Sequence, residues 1–389
     1  MPQTVNNKKL IRITTVPMAL RYLLPGQMRF MADNGFDVLM ISADGKELAA
    51  VIENEQCRHI IVPMTRKITL LQDLKCLFQL IQIFRQEKPG IVHTHTPKAG
   101  LLGMLAAKIC GVKIRIHTVA GLPLMAESGV KYRLLKFIEK LTYAAANQVW
   151  PNSQSLLNFI SEKKLCKPTK LKMIAQGSTN GINLNRFSKS SLDGKITEEI
   201  KAQINYLVQH KYLLCIGRLV ADKGITELVH VFTQLQKNNT DLKLILVGEF
   251  EETLDPLPAA TLHEIAMNPS IIHIGWTNYV EYYLRLAHYF VFPSHREGFP
   301  NVLLQAGAMG LPIICSRITG NIDIVTHNET GLIFECGNEP EMINLLQYAI
   351  TYPERMNSMA KQLQEDITQN YRQENIWQKM LEAYKTLVH

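Results

Sequence analysis

Short apolar runs alternate along the whole chain with longer stretches whose apolar positions recur every three or four residues. In the first half LIRITTV, DVLMIS, HIIVPM, IVHTHT, IRIHTV, QVWPNS and LKMIAQ read as strands. In the second half YLLCIGR, KLILVGE, IIHIGW, YFVFPS and PIICSR do the same. Helical spacing fills the gaps, as at residues 69–86 and 130–147, and an amphipathic helix runs from about Glu374. This strand–helix alternation predicts an α/β protein with two doubly wound, Rossmann-like parallel sheets. The polar, turn-rich stretch SKSSLDGKITEE puts the boundary near Phe187. The expected organisation is a domain over 1–186, a second over 187–373 and a terminal helix over 374–389.

With 389 residues, 47% of them hydrophobic, the chain can fill two cores. Its seven cysteines are scattered without a CxxC pair, the usage of a reduced, cytoplasmic protein. The N-terminal MPQTVNNKKLIRITTV runs into a strand and not into a signal peptide's apolar helix. No stretch approaches the ~18 apolar residues of a membrane span, so the chain is not expected to cross a bilayer. Charge is lopsided. Residues 1–186 hold 26 Lys and Arg against 11 Asp and Glu, a net of +15, while residues 187–389 hold 16 against 23, a net of −7. A basic half suits an anionic membrane surface or an acidic, lipid-linked substrate, and with no nucleic-acid-binding motif present nucleic acid is not an expected partner. The segment SGVKYRLLKFIEKLTYAAAN intersperses Lys131, Arg133, Lys136 and Lys140 with Tyr132, Leu135, Phe137 and Leu141. It suits a membrane interface, and equally a core-packed helix with a solvated cationic face.

The most informative chemistry lies in EGFPNVLLQ, from Glu297 to Gln305, between two apolar runs. Gly298 gives the loop freedom, and Pro300 suits the first helical position. The amides of Asn301 and Val302 then point out of a helix N-terminus, a site for a phosphate. A second loop, GRLVADKG from Gly217 to Gly224, follows YLLCI and carries Arg218 and Lys223. Each charge has a plain reading, Glu297 as a helix-dipole partner and Asp222 as an N-cap. Two cationic loops and helix starts in one α/β unit suit a diphosphate better.

These motifs, GR then DKG, then SHREG with a proline and a helix, then GLP before a strand, resemble the retaining nucleotide-sugar glycosyltransferases of glycosyltransferase family 4. VHTHTPKAGLLGMLAA from Val92, RIHTVAGLP from Arg115 and GSTNGINLNRF from Gly177 resemble a narrower group, the bacterial capsule, O-antigen and lipid-linked oligosaccharide transferases. The resemblance covers most of the chain and implies the GT-B fold, two Rossmann-like domains facing across a cleft, with the terminal helix packed back on the first. It implies a donor, expected to be UDP-linked, whose sugar hydroxyls meet Glu297 and the backbone around Gly298 and Phe299. Two positions depart from the family: Gln305 stands where a ribose-binding glutamate is usual, and Ala120 where many relatives have histidine. A glutamine amide can still hydrogen-bond a ribose hydroxyl. His117, three residues earlier, faces the other way on an extended strand and cannot inherit the missing role.

No Asp-x-Asp triplet occurs, so Arg218, Lys223 and the amides at Asn301 and Val302 are the expected stabilisers of the leaving diphosphate, with no metal and no other cofactor. The acceptor, a polyprenyl-diphosphate-linked saccharide, is expected against the first domain. Gly26 would allow close backbone approach there, Lys98 would meet a phosphate, and His93 and His95 share one strand face. The expected enzyme is a cytoplasmic, membrane-associated transferase extending a lipid-linked glycan with a hexose or N-acetylhexosamine. A nonhydrolysing UDP-sugar 2-epimerase of the same architecture and a catalytically inactive nucleotide-sugar-binding homologue are the competing readings.

Overall fold

A computed structural model of the chain describes residues 6–251 and 255–388. The first five residues of the N-terminal segment lie outside this range. Among the described residues, twelve parallel strands form two six-stranded sheets. The first holds β1 (Asn6–Ile13), β2 (Asp37–Ser42), β3 (Arg58–Ile61), β4 (Pro89–Thr94), β5 (Ile114–Val119) and β6 (Gln148–Pro151), in the order β3-β2-β1-β4-β5-β6. The second holds β7 (Lys211–Ile216), β8 (Leu242–Val247), β9 (Ile271–Ile274), β10 (Tyr289–Phe292), β11 (Ile313–Ser316) and β12 (Leu332–Phe334), in the order β12-β11-β10-β7-β8-β9. Both orders reverse between a unit's first and fourth strands, the place where an open α/β sheet makes its binding crevice.

The strands are apolar because helices cover both faces of each sheet. In the first unit Ile11, Ile13, Leu39, Ile41 and Val92 point into one core, and Leu10, Met40, Ile91, Ile116 and Trp150 into the other. In the second, Tyr212 and Leu214 face one core while Leu213 and Cys215 face its opposite. The expected helices form over Leu70–Glu87 and Gly129–Ala145. LKMIAQ does not become a strand. Leu171 makes a single bridge to Val149, and Ala175, at a φ of 50°, turns the chain away. No helix among the described residues is long and apolar enough to cross a membrane.

The chain divides between Asn180 and Gly181, not near Phe187. Ile182 explains the difference. Its N–H donates to the Tyr371 carbonyl and its own carbonyl accepts from Gln373, while its side chain and that of Phe187 are buried in a core of the second unit. Residues 374–389 group with the first unit, where Met380, Leu381 and Tyr384 of the helix Gln373–Val388 join the core that holds Leu10, Met28 and Trp150.

Candidate active site

In the second unit β7 and β10 are hydrogen-bonded neighbours, with Leu213 opposite Tyr289 and Leu214 opposite Phe290. The loops that follow them therefore leave the same end of the sheet side by side, at the point where strand order reverses. The loop after β7 starts at Gly217, whose N–H bonds the Val247 carbonyl at 3.0 Å, and tightens into a turn over Ala221–Lys223. Gly224 ends that turn and caps the helix Ile225–Gln236 at a φ of 68°, where a Cβ would stand 2.3 Å from the Pro293 carbonyl oxygen. Only glycine fits, and the close approach brings Lys223 to the end of β10.

There Lys223 forms an ion pair with Glu297, and both side chains are largely buried. The Lys223 ammonium also lies 5.8 Å from the centre of the Phe292 ring, within cation–π range. Ser294 donates a second hydrogen bond to Glu297, at 3.2 Å. Arg218, more exposed, pairs with Glu251. Asp222 is not a helix N-cap: its carboxylate takes Arg296 at 2.8 Å, its N–H donates to Asp255 at 2.7 Å and its carbonyl accepts from the His295 N–H at 2.9 Å. Asp222 thus ties the two loops together. His295 in turn meets Glu227 at 2.8 Å, a contact that raises the imidazole pKa and lowers that of the carboxyl.

Pro300 is the cap and not the first helical residue, because its backbone is extended (ψ 106°) and the helix runs Asn301–Ala308. Leu303 reaches back to the Pro300 carbonyl, and the N–H groups of Asn301 and Val302 have no intrahelical acceptor. Gly298 does not adopt a left-handed φ. Gly320 does, at 86°, and a Cβ on it would stand 2.6 Å from the Gly298 carbonyl oxygen. The Phe299 ring is buried in the core against Tyr371, so only its backbone is available to a ligand. Gln305, partly buried, lies one helical turn beyond Asn301. The structure thus brings Lys223, Glu297 and the Asn301 helix start to one end of the sheet. It adds Arg296, Glu251 and Ser294, to which the motifs assign no role. Arg296 stood inside SHREG, and only its partner, distant in sequence, was hidden. Among the described residues no three His, Cys, Asp or Glu side chains cluster so as to hold a metal ion.

The first unit disposes of its candidates differently. Lys98 is largely buried and bonds Asp73 at 2.7 Å and Thr65 at 3.2 Å, so its charge is already matched within the fold. Gly26 adopts a φ of 79°, and what approaches its backbone is Trp377: a Cβ would stand 2.6 Å from that ring. His93 and His95 stack at 4.5 Å, both buried, and bracket the buried guanidinium of Arg12 at 3.1 and 2.7 Å. Arg12 also donates to Tyr384 and Gln27. Burial, with the Arg12 charge second, holds both imidazoles well below their ordinary pKa. His95 leaves its Nδ1 without a partner among the described residues. His117 points to the other face, against Thr94 at 2.9 Å, and burial lowers it to about 4.

Known proteins resemble the chain over almost its whole length. The family described as "Glycosyl transferases group 1" matches residues 196–366, and that described as "Glycosyl transferase 4-like" matches residues 14–154. The chain is 33% identical over 385 residues to a capsular polysaccharide biosynthesis glycosyltransferase, CapM, of Staphylococcus aureus, covering 99% of this chain and 98% of that protein. It is 25% identical over 382 residues, 95% of each chain, to an Escherichia coli enzyme named UDP-Gal:alpha-D-GlcNAc-diphosphoundecaprenol alpha-1,3-galactosyltransferase. Among solved structures, Anabaena HepE in complex with UDP and glucose superposes with a TM-score of 0.79 at 16% identity, over 97% of this chain and 100% of that one. At that identity the likeness speaks for the fold alone.

Proposed function

Because the chain belongs to the family 4 glycosyltransferases of the GT-B fold, we propose that it transfers a hexose or N-acetylhexosamine, with retention, from a UDP-sugar to a polyprenyl-diphosphate-linked glycan at an anionic membrane surface. Full-length likeness to CapM and to the E. coli galactosyltransferase supports a role in surface polysaccharide synthesis with a lipid-linked acceptor. The observation that carries the donor side is the Lys223–Glu297 pair beside the Asn301 helix start, at the switch point of the second sheet.

The donor diphosphate takes Lys223 away from Glu297 and Arg218 away from Glu251, and accepts hydrogen bonds from the Asn301 and Val302 amides. The released Glu297 carboxylate turns to the sugar hydroxyls, and Gln305 takes the ribose. As the anomeric carbon–phosphate oxygen bond breaks, negative charge grows on the diphosphate, where these cations and amides already stand. The acceptor oxygen bonds the anomeric carbon on the same face, and its proton passes to the departing phosphate oxygen. That route requires no side-chain base, which accommodates Ala120, and no metal.

Incubation with a panel of UDP- and GDP-sugars and a short polyprenyl-diphosphate saccharide, followed by product mass, tests the reading. A product heavier by one sugar, formed only with the lipid acceptor and unaffected by EDTA, is expected. Conversion of UDP-sugar without acceptor would indicate an epimerase, binding without turnover an inactive homologue, and rescue of EDTA-treated enzyme by Mg²⁺ or Mn²⁺ a metal-dependent transferase.

A further inference from the structure

We propose that the first unit docks on an anionic bilayer through two helices at once, Leu70–Glu87 and Gly129–Ala145, each laying an apolar ridge into the interface. The inference rests on the membrane-linked acceptor proposed above. Both helices flank the helix Pro97–Ile109 and pack against it. Their inner faces, including Cys76, Leu80 and Phe84 on one and Tyr143 and Ala145 on the other, share one core. Their outer faces are apolar as well. Leu71 and Phe78 are 79% and 64% exposed, with Leu74 between them, and Val130 and Phe137 are 81% and 64% exposed, with Leu134 between them. The spacing keeps each trio on one side of its helix. Isolated exposed apolar residues are ordinary; two ridges on neighbouring helices are not.

Charge selects the occupant. Arg66, Lys67 and Lys75 border the first ridge, and Lys131, Arg133, Lys136 and Lys140 the second. Of the four carboxylates in these helices and their flanks, one meets a rim cation, Glu127 with Lys131 at 2.5 Å. Asp73 is taken by Lys98 at 2.7 Å, Glu87 by Lys9 at 2.7 Å and Arg58 at 2.9 Å, and Glu139 is buried, where its carboxyl rises to about 7. An apolar surface rimmed by an excess of cations, of which Lys131 is matched by Glu127, fits the interface of an anionic bilayer and disfavours a second copy of itself. The structure also turns the amphipathic reading of the second helix around. Tyr132 and Leu135 pack inward on the core, so the exposed positions are not a purely cationic, solvated face.

The test is co-sedimentation with vesicles of phosphatidylcholine alone or mixed with phosphatidylglycerol. It compares the wild-type chain with the triple variants Leu71→Ser/Leu74→Ser/Phe78→Ser and Val130→Ser/Leu134→Ser/Phe137→Ser. The wild type is expected to bind the anionic vesicles and to weaken as salt rises. Each triple variant should bind about tenfold or more weakly, from lost apolar burial, while turning over a water-soluble acceptor analogue at the wild-type rate. Tryptophan placed by Phe78→Trp or Phe137→Trp should be quenched by brominated lipid. Unchanged binding by the Leu71/Leu74/Phe78 variant, or no quenching of Phe78→Trp, would overturn the two-helix face. So would dimerisation of the wild type abolished by either triple variant. Vesicle binding without lipid-glycan product would sink the acceptor reading alone, and product formation by a chain that binds no vesicles would sink this inference alone.

Discussion

The two units share a strand order and treat charge in opposite ways. At the crevice of the second sheet these cations meet carboxylates from neighbouring segments: Lys223 with Glu297, Arg218 with Glu251, Arg296 with Asp222, and His295 with Glu227 in the first turn of the helix Ile225–Gln236. In such pairs, opposite in sign, an anionic ligand can replace the carboxylate as the cation's partner. In the first unit the hydrogen-bond partners of the buried Arg12 guanidinium are uncharged, the hydroxyl of Tyr384, the Gln27 amide and two imidazoles, with the buried Glu55 carboxyl acting on it only at longer range. A buried guanidinium cannot be released without leaving unsatisfied partners, so this cluster fixes structure. One fold thus supports an exchangeable electrostatic site in one copy and a locked one in the other.

The largest effects should come from breaking the exchangeable side. Lys223→Ala, Arg218→Ala or Glu297→Ala should lower kcat by roughly 10²–10³, the scale for losing one preorganised charge contact, with thermal unfolding little changed. A drop in Tm as large as the drop in rate would mean these pairs hold the fold instead. The locked side should respond inversely. Tyr384→Phe removes the hydroxyl beside the Arg12 guanidinium and should cost about 1–3 kcal/mol, read as a Tm lower by several degrees with kcat unchanged.

Acid sharpens the contrast. His95 is neutral in the fold and its unfolded pKa is about 6.5, so below that pH the unfolded chain takes up a proton that the folded chain refuses. Its stabilising contribution is present above pH 6.5 and is lost as pH falls below it. Glu139, raised to about 7, works in the other direction and gains stability over the same descent. The informative measurement is therefore the difference in slope: His95→Gln should flatten the fall of stability between pH 7 and pH 5 by about one proton's worth. An unaltered slope would mean that His95 is protonated in the fold. The smallest effect is expected from Gln305→Glu, which should retain activity and shift donor Kd by less than about tenfold, since one amide–hydroxyl bond is replaced by one to a carboxylate. An inactive variant would show that Gln305 does not serve the ribose.

Much of this was legible in the chain because parallel strands buried on both faces read as unbroken apolar runs. YFVF at β10 and LKLILV at β8 could hardly be anything else. β12 escaped notice because three residues, LIF, give no period to detect. In the proposed donor site Lys223 and Glu297 were visible as motif residues, whereas the Asp222–Arg296 tie was not, since its partners lie 74 residues apart and meet only through sheet order. Pro300 was misplaced by one position because the same residue serves a cap or a first turn, and only ψ distinguishes them. On the helix Gly129–Ala145 apolar residues occur on most sides, so spacing alone could not say that Leu135 faces the core and Leu134 the solvent. Arg12, a charge inside an apolar strand, was the unread signal of the buried cluster.

The dependence of Arg12 on Tyr384 also bears on how the protein is made. The two residues are 372 positions apart, and the same distant helix supplies the Trp377 ring that covers Gly26. At about 5–20 residues per second, β1 waits on the order of tens of seconds for the side chains that close its core. Through that interval the first unit can form its sheet but carries an uncovered guanidinium and an open apolar face. The whole second unit, Gly181–Gln373, is synthesised before the helix that completes the first, so the fold of the first unit is a post-translational event even though its sheet is encoded first.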